Sequence, residues 1–342
     1  MTSASTNSEN HYDASARGRN AISPQGMPST GWRDVIMRAK QEMDVDNLGL
    51  VSAGVAFYFF LAVFPAMAAF ISLYGLLTDT ADALNQLQSF TSLLPSEASS
   101  VLLDQIKSVT SQSSTTLGLG AFASLLFAFW SSMKGTLALI TALNIVYEEH
   151  ESRGVIRIRA VALLLTVGAI VFVTISLITL TLIPVLLEFF NTNRLIQMSF
   201  SYLRWPVLVI IIICLLSVLY RIAPDRRQAR WRWVTPGAVL ATILWITGSA
   251  LFSWYVSEFG NFNEVYGSIG AVVLLLFWFY LTAYVVLIGA ELNAELEHQT
   301  CIDTTVGEDR PMGKRGAKVA DTVGKEPPVS LVGRWINRIC GN

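Results

Sequence analysis

One cation within an apolar stretch is the residue of this sequence best placed to do chemistry. Lys134, in Phe129-Trp130-Ser131-Ser132-Met133-Lys134-Gly135, is the only one of 24 lysines and arginines that lies deep inside such a stretch. A charge at that depth needs a counter-charge, water or hydrogen bonds, and it is a functional candidate. The acidic residues of the apolar stretches lie toward their ends, at Glu188, Glu258 and Glu291. Two interpretations stay open: Lys134 meets water or an anionic ligand, or carbonyls and hydroxyls such as Ser131 hold it.

Five further residues could line a path that leads to Lys134. Three share its helix and two lie in the first apolar stretch: Trp130, Ser131, Asn144, Tyr58 and Pro65. A proline in mid-helix removes a backbone hydrogen bond and bends the helix, which leaves room inside a bundle. The alternative is that Pro65 only shapes packing, as proline often does in membranes, and that Tyr58 packs or faces lipid.

A second candidate is a basic cluster between the fourth and fifth apolar stretches. It consists of four arginines, Arg226, Arg227, Arg230 and Arg232, beside two tryptophans. Basic residues next to a membrane span are attracted to anionic lipid headgroups. We therefore predict that this cluster binds headgroups, and we expect no nucleic acid as a partner.

Metal and catalytic chemistry find little support in the residue pattern. The three histidines, His11, His150 and His298, are far apart in sequence and outside the apolar stretches, and no cluster of cysteine and histidine suggests a metal. Hydrolysis of RNA would need grouped carboxylates or histidines, which the short loops do not supply. We expect neither an enzyme nor a bound metal or cofactor.

Composition predicts the class of fold that positions these residues. The chain is 53% hydrophobic and 14% charged, with a mean hydropathy of +0.50, which is typical of an integral membrane protein. A span needs about 20 apolar residues. We predict an all-α bundle of six transmembrane helices at about 49–77, 117–147, 160–189, 203–223, 236–256 and 269–292.

The segments outside these helices are also assigned from sequence. Residues 1–31 are polar and are predicted to be disordered, and 32–47 to form an amphipathic helix in the interface. Residues 78–116 predict an outer amphipathic helical hairpin broken at Pro95, and 298–342 a polar tail that ends in a second amphipathic helix. The two amphipathic helices could instead pack on the protein.

The distribution of positive charge predicts the orientation of the bundle. Segments on one side hold 20 lysines and arginines, and those on the other side hold three, Lys107, Arg194 and Arg204. Since basic loops stay in the cytoplasm, both termini are expected there.

Four motifs in order resemble the YihY/BrkB family of bacterial inner-membrane proteins, once labelled ribonuclease BN. They are Ala56 to Pro65; Trp130 to Gly135 followed by Ala142 to Tyr147; Arg230 to Trp233 leading to Pro236-Gly237; and Tyr266-Gly267 with Gly289-Ala290-Glu291-Leu292-Asn293. Gly135, Pro236, Gly237, Tyr266, Gly267, Gly289, Glu291 and Asn293 are read as structural positions of this pattern. Many relatives carry arginine where this chain has Lys134. The positive charge is therefore kept here, but lysine lacks the planar guanidinium that binds a phosphate through two parallel hydrogen bonds.

The resemblance implies a six-helix protein of the inner membrane. It also implies a role in virulence or serum resistance and, for some relatives, in moving lipid or envelope precursors. Two functions follow as expectations. One is a transporter or flippase for an anionic lipid, solute or envelope precursor, with Lys134 in its path. The other is a scaffold that holds envelope-assembly proteins and transports nothing.

Overall fold

The computed structural model describes residues 16–77, 114–177, 179, 194–258 and 268–324. Over these residues the chain is helical, and its only β-type pairing is one antiparallel bridge between Ala229 and Thr305. The predicted all-α class is therefore confirmed. The predicted hairpin at 78–116 and the C-terminal amphipathic helix lie outside the described residues.

Six of the eight described α-helices have 23 to 33 residues. After a short 3-10 turn at Pro24–Gly26 they are α1 (Ser29–Val45), α2 (Leu48–Leu77), α3 (Ser114–Val146), α4 (Val155–Leu177), α5 (Arg194–Ile222), α6 (Trp231–Glu258), α7 (Ser268–Gln299) and α8 (Lys318–Asp321).

Several of these helices are long and apolar enough to cross a membrane. Within the described residues the spans are Val155–Phe172, Tyr202–Ile222, Trp231–Glu258 and Gly270–Gln299. A fifth is obtained if α1 and the first part of α2, bent by 64° at their junction, count as one. The chain is thus an integral membrane protein, and the count of six spans stays a prediction.

Helix α7 extends beyond the apolar stretch that predicted it. The stretch ends near residue 292, but the helix continues to Gln299 through Ala, Glu and Leu, which are strong helix formers. Its last turns are buried, with Leu296 and Glu297 fully covered. A polar helix end can be buried here because other segments supply partners for its charges.

The core lies between α2, α3, α6 and α7. It is built from residues with no more than a few per cent exposure, among them Val55, Ile140, Leu143 and Leu287. Glycines allow close helix contacts: a Cβ atom at Gly135 of α3 would lie 3.0 Å from the Phe59 ring of α2. Such small residues are what membrane helices use to approach each other.

One end of the bundle is covered by folded segments, and we call it the capped end. It is formed by residues 16–47, 147–154, 223–230 and 299–324. Lys318 Nζ lies 2.8 Å from Glu148 in the α3–α4 connection, and the amide of Cys301 donates to the Arg19 carbonyl at 2.7 Å. These contacts bring sequence-distant segments together at the same end.

Residues 16–31 are folded in place of the predicted disorder. Gln299 Nε2 donates to the Arg17 carbonyl at 2.7 Å, and Thr300 Oγ1 donates to the Ala21 carbonyl at 2.8 Å. The polar composition predicted disorder, but these backbone carbonyls accept hydrogen bonds from the last residue of α7 and from the residue that follows it. Residues 1–15 lie outside the described part.

Helix α1 follows the alternative that was left open for it, packing on the protein. Val35 is fully buried, and Arg38 pairs with Glu295 of α7. Ile36, on another face of the helix, remains 59% exposed. The amphipathic pattern thus marks a protein-facing side, since Val35 is buried on it and Arg38 beside it is paired with α7.

Candidate functional site

A groove between α2 and α3 contains Lys134. It has a volume of about 390 Å³, and its ten lining residues are Val51, Gly54, Val55, Tyr58, Lys134, Leu137, Ala138, Thr141, Ala142 and Ile145. On each helix these residues recur every three or four positions, which places them on one face. The groove therefore follows the contact line between the two helices.

The groove opens on the outside of the bundle. Tyr58 is 42% exposed and Ile145 38% exposed, and Gly54, Lys134 and Thr141 are exposed as well. The sequence predicted a cation directed into the bundle, so this is a correction. Apolar composition all round a helix gives the depth of a residue but not the side on which it faces.

Lys134 is held by an aromatic ring and by no carboxylate in the described part of the chain. Its Nζ lies 5.5 Å from the centroid of the Trp130 ring, within the range of a cation–π contact. Trp130 is 51% exposed and stacks on Phe127 with their centroids 5.6 Å apart. No acidic side chain lines the groove. The ammonium group is thus available to an external anion.

If α3 crosses the membrane, as its apolar stretch predicts, Lys134 lies well inside the bilayer. It is twelve residues from Val146, where α3 ends, which corresponds to about 18 Å at 1.5 Å per residue. The hydrocarbon layer is about 30 Å thick. The groove continues from Lys134 to Ile145, one residue from the helix end. It therefore connects Lys134 with the capped end.

Small and apolar side chains give the groove its shape. Gly54, Ala138 and Ala142 leave space along the contact line, and a Cβ atom at Gly54 would meet nothing within 4 Å. Thr141 donates its hydroxyl to the Leu137 carbonyl at 3.0 Å, so that group is already satisfied. Apart from Tyr58 and Lys134, the walls can contact an apolar chain.

Two other predicted path residues lie away from this groove. Ser131 is 8% exposed on a different face of α3, and Pro65 is buried in α2. A polar contact that the sequence did not reveal lies nearby, where the Thr136 and Thr166 hydroxyls of α3 and α4 are 2.8 Å apart. No periodic signal distinguishes such threonines from other small residues, since each hydroxyl can also bond to its own helix.

Asn144 has a structural role at the capped end. Its Nδ2 donates to Glu151 at 2.9 Å, and its Oδ1 accepts from the amide of Asp225 at 2.8 Å. The side chain thus joins the α3–α4 and α5–α6 connections and is 5% exposed. This corrects its assignment to the path.

The glycine and asparagine positions of the family pattern join α6 to α7. Asn293 Oδ1 accepts from the Gly237 amide at 2.8 Å, and its Nδ2 donates to the Val234 carbonyl at 2.9 Å. Gly237 and Gly289 bring the two backbones together, and neither has room for a Cβ atom. Tyr266 and Gly267 lie outside the described residues.

Arg226 is the central residue of the capped end. Its guanidinium forms two hydrogen bonds to Glu297, at 2.8 and 2.7 Å, and lies 4.8 Å from the Tyr147 ring centroid. Both charged side chains are almost fully buried. Burial opposes the charged form of Arg226, but Glu297 outweighs it and raises the arginine pKa.

Two other arginines of the cluster are also engaged with protein groups. Arg227 lies 3.8 Å from Asp303, Arg230 pairs with Asp309, and Arg232 is half-buried. The prediction that these residues bind headgroups is thus corrected for Arg226, whose guanidinium is covered by protein. The sequence could not reveal this, because the acid that covers Arg226 comes from α7, 71 residues further along the chain.

No group of three or more His, Cys, Asp or Glu residues in the described ranges could hold a metal ion. Two acids near the end of α7 are instead paired with arginine, Glu295 with Arg38 and Glu297 with Arg226, and Glu291 is buried on the same helix.

Comparison with known proteins identifies similar membrane proteins. A family model described as Virulence factor BrkB matches residues 39–311. The ribonuclease-like protein YfkH of Bacillus subtilis is 32% identical over 255 residues, which are 72% of this chain and 88% of that protein. A UPF0761 membrane protein of Idiomarina loihiensis is 27% identical over 210 residues, 61% of this chain and 70% of the relative. No solved structure matches.

Proposed function

This chain belongs to the Virulence factor BrkB family of membrane proteins, and we propose that it is a flippase or transporter for an anionic lipid, which it binds in the groove at Lys134. The proposal includes location in the bacterial inner membrane with both termini in the cytoplasm. The observation that carries it is an exposed cation, Lys134, in a groove on the outside of the bundle, and its position along α3 predicts mid-membrane depth.

The lateral opening favours a lipid over a water-soluble anion. A lipid reaches the outside of a transmembrane bundle by diffusion within the bilayer, whereas a soluble anion needs an aqueous passage. The groove is lined almost wholly by apolar side chains, and the exposed Lys134 and Tyr58 provide its polar contacts. An amphiphile with one charged group and an acyl or isoprenoid chain fits this distribution.

Charge suggests which headgroup the groove takes. Lys134 is a point charge, and the lining holds no second cation. A phosphodiester carries one negative charge and is matched by one ammonium group. A headgroup that leaves the aqueous interface loses hydration, and an ion pair at depth recovers part of this cost. Lys134 thus lowers the barrier on the path between leaflets.

Reconstitution into vesicles tests the proposal. A phospholipid with a single phosphodiester charge and a fluorescent group is placed in one leaflet, and its arrival in the other is followed by quenching. Charged hydrogen bonds contribute about 1.5–3 kcal/mol, so Lys134→Leu should slow transfer about tenfold or more. Lys134→Arg should retain it. The exposed Lys314 gives the control, since Lys314→Leu removes a charge outside the groove.

The scaffold function makes a different prediction for the same variants. A scaffold has no use for a mid-membrane cation, so Lys134→Leu would leave wild-type protein contacts and serum resistance intact. Equal transfer in vesicles with and without the protein would reject the flippase proposal. We also propose that the chain is not a ribonuclease; cleavage of RNA by the purified protein would contradict this.

A further inference from the structure

Helix α7 contains an acidic residue that the proposed lipid site does not use. Glu291 is 2% exposed and lies within the span Gly270–Gln299. Its Oε2 atom is buried and has no hydrogen-bond partner. Burying an ionised carboxylate that has no partner costs several kcal/mol of folding free energy. The group must therefore be neutralised in some way.

Helix geometry separates Glu291 from the glycine contact with α6. Gly289 and Asn293 face α6, and two residues further along the helix correspond to a rotation of about 200°. Glu291 and Glu295 are therefore on the opposite face. Glu295 pairs there with Arg38 of α1, so this face of α7 is directed toward α1 and the start of α2.

Among the described residues, no cation that acts on Glu291 is without an acidic partner. The nearby ionisable groups are Asp46 and Glu42 from α1 and its junction with α2, Glu148 and Tyr147 from the end of α3, and Glu295 from α7 itself. Arg38 and His298, the cationic candidates on this side, are both bonded to Glu295. Glu291 is thus surrounded by like charges and a phenol.

A metal ion is a poor candidate for the neutralising partner. No set of three or more potential ligands is arranged for one in the described part of the chain. A proton needs one carboxyl oxygen and no coordination shell. Chains of carboxyl groups inside membrane proteins commonly carry protons in pumps and transporters.

We propose that Glu291 is a proton-binding site, loaded from the capped end through Asp46, and that its protonation drives the movement of lipid in the α2–α3 groove. The coupling part rests on the proposed flippase function, whereas the proton site stands independently of it. The step itself is simple: a proton from water is transferred to the Glu291 carboxylate and is later released.

Asp46 lies on the route that a proton from the capped end would take, because it is at the junction of α1 and α2 beside the start of the α7-facing surface. Burial, with Glu42 and then Glu148 adding repulsion, raises the pKa of Asp46 to about 6. The same causes, with burial first and Glu295 next, raise the pKa of Glu42. Both side chains are half-buried between solvent and α7. In the proposal these two carboxyl groups relay the proton from the capped end to Glu291, on whose charge both act.

The junction at Asp46 also connects the proton site to the groove. Asp46 follows α1, and α2 begins two residues later at Leu48. Val51 and Gly54, in the first two turns of α2, line the groove. A charge change at Asp46 and Glu291 acts on the end of the helix that forms one wall of the lipid site.

Infrared spectroscopy of the purified protein tests the proton site without any assay of transport. At neutral pH the wild type should show the carbonyl stretch of a protonated carboxylic acid, and Glu291→Gln should lack it. Glu291→Asp should shift the band, which keeps the test valid if Glu291→Gln does not accumulate. Exposed Glu308 provides the control, Glu308→Gln, which should retain the band. A spectrum without the band, or a band unchanged in both Glu291 variants, would overturn the proposal.

A vesicle experiment with an imposed pH gradient tests the coupling. The membrane potential is clamped, and the steady-state distribution of the fluorescent anionic phospholipid between leaflets is measured. One proton per lipid allows one pH unit to shift that ratio about tenfold. The shift should occur in wild type and Glu308→Gln and be absent in Glu291→Gln. An equal shift in Glu291→Gln would reject coupling, whereas no transfer in wild type would reject the flippase function and leave the infrared result to decide the proton site.

Discussion

Gly237 of α6 and Gly289 of α7 meet backbone to backbone, with Asn293 bonded across the contact to the Gly237 amide at 2.8 Å. A Cβ atom at either glycine would collide with the carbonyl oxygen of the other. The helix contact thus depends on two glycines, which have no side chain, and on the Asn293 side-chain amide, which bonds to the backbone of α6 on either side of Pro236.

Substitution of Gly237 by alanine should therefore separate α6 from α7. Overpacking costs about 1–3 kcal/mol and more where backbone must move. We expect a lower melting temperature in detergent and less protein in the membrane. Gly168 of α4 is the matched control, because a Cβ atom there meets nothing within 4 Å. A Gly237→Ala protein as stable as Gly168→Ala would refute this interpretation of the contact.

Replacing one member of the buried pair of Arg226 and Glu297 should lower the stability of the protein more than replacing both. Arg226→Met leaves the Glu297 carboxylate covered and unpaired, for which about 3–5 kcal/mol is expected. The double variant with Glu297→Met should recover much of this loss. Thermal unfolding of the single and double variants gives the comparison.

The exposed pair of Arg230 and Asp309 offers the contrast. The Asp309 side chain is 71% exposed, and surface ion pairs contribute about 0–1 kcal/mol. Arg230→Met should thus change stability little. If Arg230→Met and Arg226→Met were equally destabilising, burial would not be the determining factor.

Filling the groove should block lipid binding while the fold is preserved. Gly54→Leu places a side chain into space that is open in the structure. We expect an unchanged melting temperature and weaker labelling by a photoactivatable anionic phospholipid. Gly168→Leu, also into open space but outside the groove, should label like the wild type. Undiminished labelling of Gly54→Leu would place the lipid elsewhere.

Acid should weaken the link between the α3–α4 and α5–α6 connections. Burial acts against the Asp225 carboxylate, but hydrogen bonds from the Ser152 hydroxyl and amide, with Arg153 nearby, lower its pKa overall. A lowered folded-state pKa contributes stability above the unfolded value of about 3.9, and this is lost as pH falls below it. The stability difference between wild type and Asp225→Asn should therefore shrink from about pH 6 to pH 3. A difference that grew toward low pH would contradict the assignment.

Some features of the site could be predicted because they depend only on the length of an apolar run or on the size of a side chain. The position of Lys134 within a long helix follows from the length of an apolar run, and the close contact at Gly289 follows from the absence of a side chain there. The side on which Lys134 faces does not, since α3 is apolar all round and gives no rotational signal. The long helix and the close glycine contact were thus predictable from sequence, whereas the side on which Lys134 faces was not.

The capped end was missed for a related reason. Its stability comes from pairs that join distant segments, such as Arg226 with Glu297 and Arg38 with Glu295. In sequence each segment is only polar and charged, which is the composition of disorder or of a headgroup-binding surface. Only the three-dimensional arrangement shows that these two arginines, Arg38 and Arg226, pair with glutamates of α7.

The hydrogen bonds of Arg19 also set an order of events during synthesis. Its backbone carbonyl accepts from the Cys301 amide, and its guanidinium donates to the Gly324 carbonyl at 2.9 Å. The chain must therefore be synthesised through Gly324 before this early residue finds both partners. A chain that stopped before Cys301 would leave the Arg19 carbonyl and guanidinium without these hydrogen bonds.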